Sequence, residues 1–174
     1  MKKELFQRLA KTSTVCLLCS LALAGCDDDV KDLVKGKTKV FTVTGAQVSS
    51  KLGTLDPGYY DISAVTNASQ GNSSPAGLPV APRSTLDNLG IKVSEETCGK
   101  INITNPVCFE SGNASSCTPS QINMLGLKVY TIELDHVKTA ASHGFYPKLA
   151  SLVGGSHVDI AYAEVSCSSL PTAN

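Results

Sequence analysis

Three histidines, His136, His143 and His157, fall in the carboxy-terminal third of this 174-residue chain, with Asp159 two residues beyond the last. Three imidazoles and a carboxylate form an adequate ligand set for zinc or copper. His136 and His143 are seven apart, about two helical turns, so a helix through both would place them on one side. His157 and Asp159 would share one face of a strand. The spacing weakens the idea. No HExxH or HxH motif anchors it, and Gly144 and Pro147 interrupt the region where the shared helix would run. Solvated or locally hydrogen-bonded histidines are the first expectation. A metal-binding protein or metal-dependent enzyme using His136, His143, His157 and Asp159 is the second.

Other chemistries find less support. A serine hydrolase needs Ser, His and an acid brought together, yet no GxSxG elbow occurs. Gly154-Gly155-Ser156-His157 is a glycine turn beside a histidine. Gly36-Lys37-Thr38 imitates the end of a phosphate loop, but Lys31 stands where the first glycine belongs, so no nucleotide site is expected. Fifteen basic residues balance fifteen acidic ones, which leaves no polyelectrolyte face for nucleic acid. Asn67, Asn72, Asn102 and Asn113 open Asn-x-Ser/Thr sequons, which here reflect polar loop composition. The chain holds no catalytic motif, and a non-enzymatic role is the expectation.

Seven cysteines are an odd number, and the amino terminus accounts for it. Lys2, Lys3, Arg8 and Lys11 stand against Glu4 alone, followed by the uncharged stretch Thr12 to Ala24. At 1.5 Å per residue this stretch covers about 20 Å, short of a hydrocarbon core of about 30 Å. It reads as the apolar region of a cleavable export signal rather than a spanning helix. Leu23-Ala24-Gly25-Cys26 follows at once. These four residues, with the basic and apolar regions before them, resemble the lipobox of bacterial lipoproteins. The resemblance covers about the first thirty residues and says nothing of the rest. It implies that the Cys26 thiol is alkylated by a diacylglycerol, that the chain is cut before Cys26, and that the new amine is acylated, for example with palmitate. Small Gly25 lets a peptidase reach the backbone, and only cysteine supplies the thiolate. Two or more acyl chains anchor stably where one does not.

The resemblance also bears on location. In enteric bacteria, lipoproteins with Asp after the lipidated Cys tend to remain in the inner membrane, and here Asp27 follows Cys26. The periplasmic face of the inner membrane is therefore expected over the outer membrane or cell surface. The bilayer is the first partner, with other envelope proteins as further ones. No cofactor is expected beyond the covalent lipid.

Cys16 and Cys19 leave with the signal and Cys26 carries lipid, so Cys98, Cys108, Cys117 and Cys167 remain. An even remainder in an exported chain reads as two disulfides. Four cysteines allow three pairings. The nested one, Cys108–Cys117 inside Cys98–Cys167, is favoured because a short polar loop separates the inner pair. No CxxC spacing occurs among the four, which argues against a thiolate zinc site.

The expected organisation is a signal peptide over 1–25, a charged lipid-anchored tether over 26–37 and a β-rich periplasmic domain over 38–174. Loss of the signal leaves 11 basic and 14 acidic residues. The tether is read as a solvated linker, since a helix of one or two turns before Gly36 is marginal alone. Val- and Thr-rich runs predict strands over TKVFTVTGAQVS and GYYDISAVT, with Tyr60, Ile62 and Ala64 on the buried face and Tyr59 at the rim. Residues 67–85 read as an exposed Ser, Gly and Pro-rich loop. Alternation of Tyr130, Ile132 and Leu134 predicts a strand, and Val137 to Val153 one or two short helices split by Gly144 and Pro147. The region from His157 to Cys167 returns to strand. The fold class is a β-rich α+β domain pinned by disulfides, with a β-sandwich as one form it can take.

Overall fold

The computed structural model describes residues 28–69, 78–111, 114–154 and 159–173. The chain divides into two compact units, Met1–Lys35 and Gly36–Asn174. In the first, α1 (Asp28–Val34) is a seven-residue helix, so the tether is not wholly extended linker. Gly36 follows at φ +71°, a left-handed conformation that glycine adopts without steric cost and that ends helices.

The second unit is a β-rich α+β domain. Its strands are β1 (Lys37–Val48), β2 (Gly58–Asp61), β3 (Val93–Asn102), β4 (Cys108–Ser111), β5 (Ala114–Cys117), β6 (Ile122–Glu133), β7 (Tyr146–Pro147) and β8 (Ala163–Val165). Short helices α2 (Ile62–Ala68), α3 (Arg83–Asn88) and α4 (Val137–Ser142) lie between them. Six strands form one antiparallel sheet in the order β2-β1-β6-β3-β8, with β7 also on β1. The pair β4-β5 is a separate hairpin. Among the described residues the sheet is faced on one side by the hairpin and α2 and on the other by α3 and α4, not by the second full sheet of a sandwich.

The long β1–β6 ladder is the spine, and a bulge sets which side chains it buries. Register slips by one residue at Thr44, between Val43↔Leu127 and Gly45↔Gly126. A single extra residue inverts the two-residue period. Phe41 and Val43 before the bulge, and Ala46 and Val48 after it, consequently enter the same core cluster. Leu125, Leu127 and Val129 of β6 join them. On the opposite face Val40, Tyr130 and Ile132 pack with Leu86 of α3 and Val137 and Ala140 of α4. Both faces are covered, which explains why β1 is buried along most of its length.

Both expected disulfides are present in the nested arrangement, Cys98–Cys167 and Cys108–Cys117. The first ties the carboxy-terminal segment to β3, to which β8 adds three ladder positions. The segment is held further by Glu164, which accepts from Lys39 Nζ at 2.6 Å. The Lys39 side chain is only 9% exposed, so the carboxylate offsets the cost of drying an ammonium.

Three expectations are corrected. The run GYYDISAVT is strand only to Asp61, whose Oδ1 accepts from the Ser63 amide at 2.8 Å and starts α2. An aspartate placed to cap a helix overrides alternation over five residues. Within β2, Tyr59 is the buried tyrosine and Tyr60 the partly exposed one. Tyr59 lies over the facing pair Gly45 and Gly126, where absent side chains leave room for its ring. Last, the loop expected over 67–85 includes a helix, α3, from Arg83, while residues 70–77 lie outside the described structure.

The tyrosine–glycine contact yields a test. A Cβ on Gly45 would lie 2.5 Å from the Tyr59 hydroxyl and under 3 Å from two ring carbons; on Gly126 it would meet mainly the hydroxyl. Overpacking of this kind costs about 1–3 kcal/mol. Gly126→Ala is therefore expected to be rescued in part by Tyr59→Phe, and Gly45→Ala much less. A double-mutant cycle from urea unfolding measures this, and equal rescue at both glycines would contradict the geometry.

Candidate binding cleft

The outer edge of β1 is shared by two short partners. β7 pairs with Val40 and Phe41, and β2 with Gly45 to Val48. Between them the Val43 amide donates to the Pro79 carbonyl at 2.6 Å, so an extended strap crosses the gap. Ala81 holds the strap from the other side by donating to the Gly144 carbonyl at 3.3 Å. Gly144 has φ +87°, and a Cβ there would stand 3.2 Å from that of Ala81. Glycine serves both the turn and the close approach.

A cleft of about 460 Å³ opens at this gap, walled by β1 at Thr42–Thr44, by the start of α2 and by the strap at Val80–Pro82. That volume suits a small ligand. Asp61 is the single ionisable side chain among its lining residues. Its Oδ1 accepts from both the amide and the hydroxyl of Ser63, at 2.8 and 2.6 Å. Thr66 donates its hydroxyl to the Ile62 carbonyl at 2.8 Å. Thr44 donates to the Gly126 carbonyl at 3.3 Å and stands by the Tyr59 phenol, while Thr42 stands by that of Tyr130. Burial pushes both phenols above their ordinary value. The field of Asp61 adds to the effect at Tyr59, and that of Glu96 at Tyr130. Val80, 48% exposed, gives the rim an apolar patch.

The residues singled out from sequence lie elsewhere. His136 precedes α4 and has Asp135 at 3.7 Å. His143 closes α4, with Nδ1 2.8 Å from the Thr139 carbonyl and 3.2 Å from the Ser142 hydroxyl. The helix covers only Val137–Ser142, so the shared two-turn face does not form. Asp159 lies outside any strand and accepts from the Ala150 amide at 2.6 Å. His157 is outside the described residues, as are Cys26 and Asp27. Among the described residues no three metal-ligating side chains converge. Local sequence signals point to strand at Asp61, Ser63 and Thr66 and to loop at Asn67, and the Asp-x-Ser capping pattern is the signal that marks this wall of the cleft.

Comparison with protein-family models, with curated proteins and with solved structures finds no match for this chain.

Proposed function

We propose that this protein is a lipoprotein of the bacterial cell envelope, held in the bilayer by acyl chains on Cys26, with a non-enzymatic binding domain that uses the cleft beside β1. The observation that carries the reading is the order of the amino-terminal residues: a basic stretch, thirteen uncharged residues, then Leu23-Ala24-Gly25-Cys26. Two disulfides among the four cysteines left after processing suit an oxidising compartment. No helix among the described residues is long and apolar enough to cross a membrane, so the lipid is the anchor in this reading. The cleft supports the binding role because it is formed by three separate segments and presents polar groups beside an apolar wall. Asp27 directs retention at the periplasmic face of the inner membrane.

Metabolic labelling with an alkyne-tagged palmitate tests the anchor. Wild type is expected to be labelled and to begin at Cys26, whereas Cys26→Ser loses the label and accumulates uncleaved. A mature chain that begins elsewhere, or carries no lipid, rejects the reading. Fractionation of Asp27→Ser tests the sorting role, with movement to the outer membrane as the expected outcome.

A further inference from the structure

The polarity of the cleft specifies what can occupy it. Ser63 donates its hydroxyl proton to Asp61, Thr66 to the Ile62 carbonyl and Thr44 to the Gly126 carbonyl. The Ser63 amide is also taken, by Asp61 Oδ1. A hydroxyl whose proton is committed offers only lone pairs to a newcomer. The second carboxylate oxygen of Asp61 has no partner among the described residues. The polar side of the cleft thus presents hydroxyl and carboxylate acceptors with one negative charge, and Asn67 is the lining side chain that brings N–H donors of its own.

We propose that the cleft binds a small alkylammonium, with Asp61 as its counter-ion and the apolar wall of Val43, Ile62, Val80, Ala81 and Pro82 against its methylenes. The inference rests on the reading of this cleft as a binding site. A primary ammonium has three donors and no acceptor, which complements the array. Its bond to a carboxylate is charge-assisted and stronger than a neutral one. An anionic ligand meets Asp61 with no cation among the lining residues to offset it. Arg83, the residue after the strap, is engaged with Asp87 and Glu96. A neutral polyol brings donors but no charge to meet Asp61, and Asn67 is the lining side chain left to donate to its hydroxyl oxygens. The apolar wall favours a short alkyl chain over a bare ammonium ion.

The test uses the full chain in detergent micelles and two water-soluble probes of equal length, 1,5-diaminopentane and pentane-1,5-diol. Amide shifts are followed by NMR at constant ionic strength. The diamine is expected to move the amides of Thr42–Thr44 and Asp61–Asn67, and to bind at least fivefold more tightly than the diol. Asp61→Asn is expected to weaken the diamine at least fivefold. Asparagine caps a helix as well as aspartate does, so α2 is retained and the loss reports on charge. Equal binding of the two probes in the cleft overturns the ammonium assignment and leaves a binding site standing. A diamine affinity unchanged in Asp61→Asn, or shifts confined to other surfaces, overturns it too. Loss of the lipid anchor in the labelling experiment would not alter any of these results.

Discussion

Replacing Cys98 and Cys167 together by alanine is expected to lower the melting temperature by roughly 10–20 °C, the larger of the two disulfide effects. The bridge spans 69 residues of sequence, against nine for Cys108–Cys117. Loop-closure entropy assigns about 4 kcal/mol to the first and about 2–3 kcal/mol to the second. The native state adds a reason. The carboxy-terminal segment meets the sheet through three β8 ladder positions, the Lys39–Glu164 pair and Tyr162, which packs on Gly99. Three ladder positions on an exposed edge hold weakly, so losing the covalent tie should let this segment open before the rest. Hydrogen exchange at Ala163–Val165 should then rise well before exchange in β6. If the Cys108/Cys117 variant proves the less stable of the two, the long bridge is not the main constraint.

Phe41→Ala is expected to cost about 3–5 kcal/mol, a large part of the stability of an ordinary domain. Phe41 is fully buried at the meeting point of three elements. Its ring lies 6.4 Å from Phe109 of the β4–β5 hairpin, 5.5 Å from Tyr146 of β7 and 5.5 Å from Tyr162 before β8. Two of these contacts are edge-to-face, worth about 0.5–1.5 kcal/mol each beyond the area buried. Truncation therefore leaves a cavity and removes one of the two rings, Phe41 and Tyr146, on which Phe109 joins the hairpin to the sheet. Phe41→Leu keeps most of the volume and should cost less than half as much. Urea unfolding of both variants measures the difference. A loss below about 1 kcal/mol for Phe41→Ala would mean that the cluster is not the organising core.

The fold class was legible because it depends on local signals. Valine and threonine runs marked β1, and the alternation of Tyr130 and Ile132 marked β6. Gly144, at φ +87°, follows the end of α4 and limits it to six residues as expected, whereas Pro147 lies in β7 rather than splitting a helix. The nested pairing favoured among the three open to Cys98, Cys108, Cys117 and Cys167 is the one present, and the short polar loop between Cys108 and Cys117 was its local signal.

The candidate site was not legible, for reasons specific to its residues. Asp61 belongs to a run whose side chains alternate as a strand's would, and only its hydrogen bonds to Ser63 turn that run into α2. Thr44 looks like any strand threonine, yet its place as the extra residue of a bulge depends on where β6 pairs. The strap at Pro79 to Ala81 has no periodicity, and it reaches β1 through a contact 36 residues away in sequence, Val43 to Pro79.

By itself the sequence determined the β-rich class and the end of the helix before Gly144, because propensity and backbone restriction act over a few residues. Tertiary structure alone decided which tyrosine of Tyr59 and Tyr60 is buried, how β2 and β7 divide one edge of β1, and that a cleft opens between them. Each of these depends on a register or a packing contact between distant segments. A one-residue slip at Thr44 inverts the faces of β1, and no local pattern in β1 encodes where its partner strand places that slip.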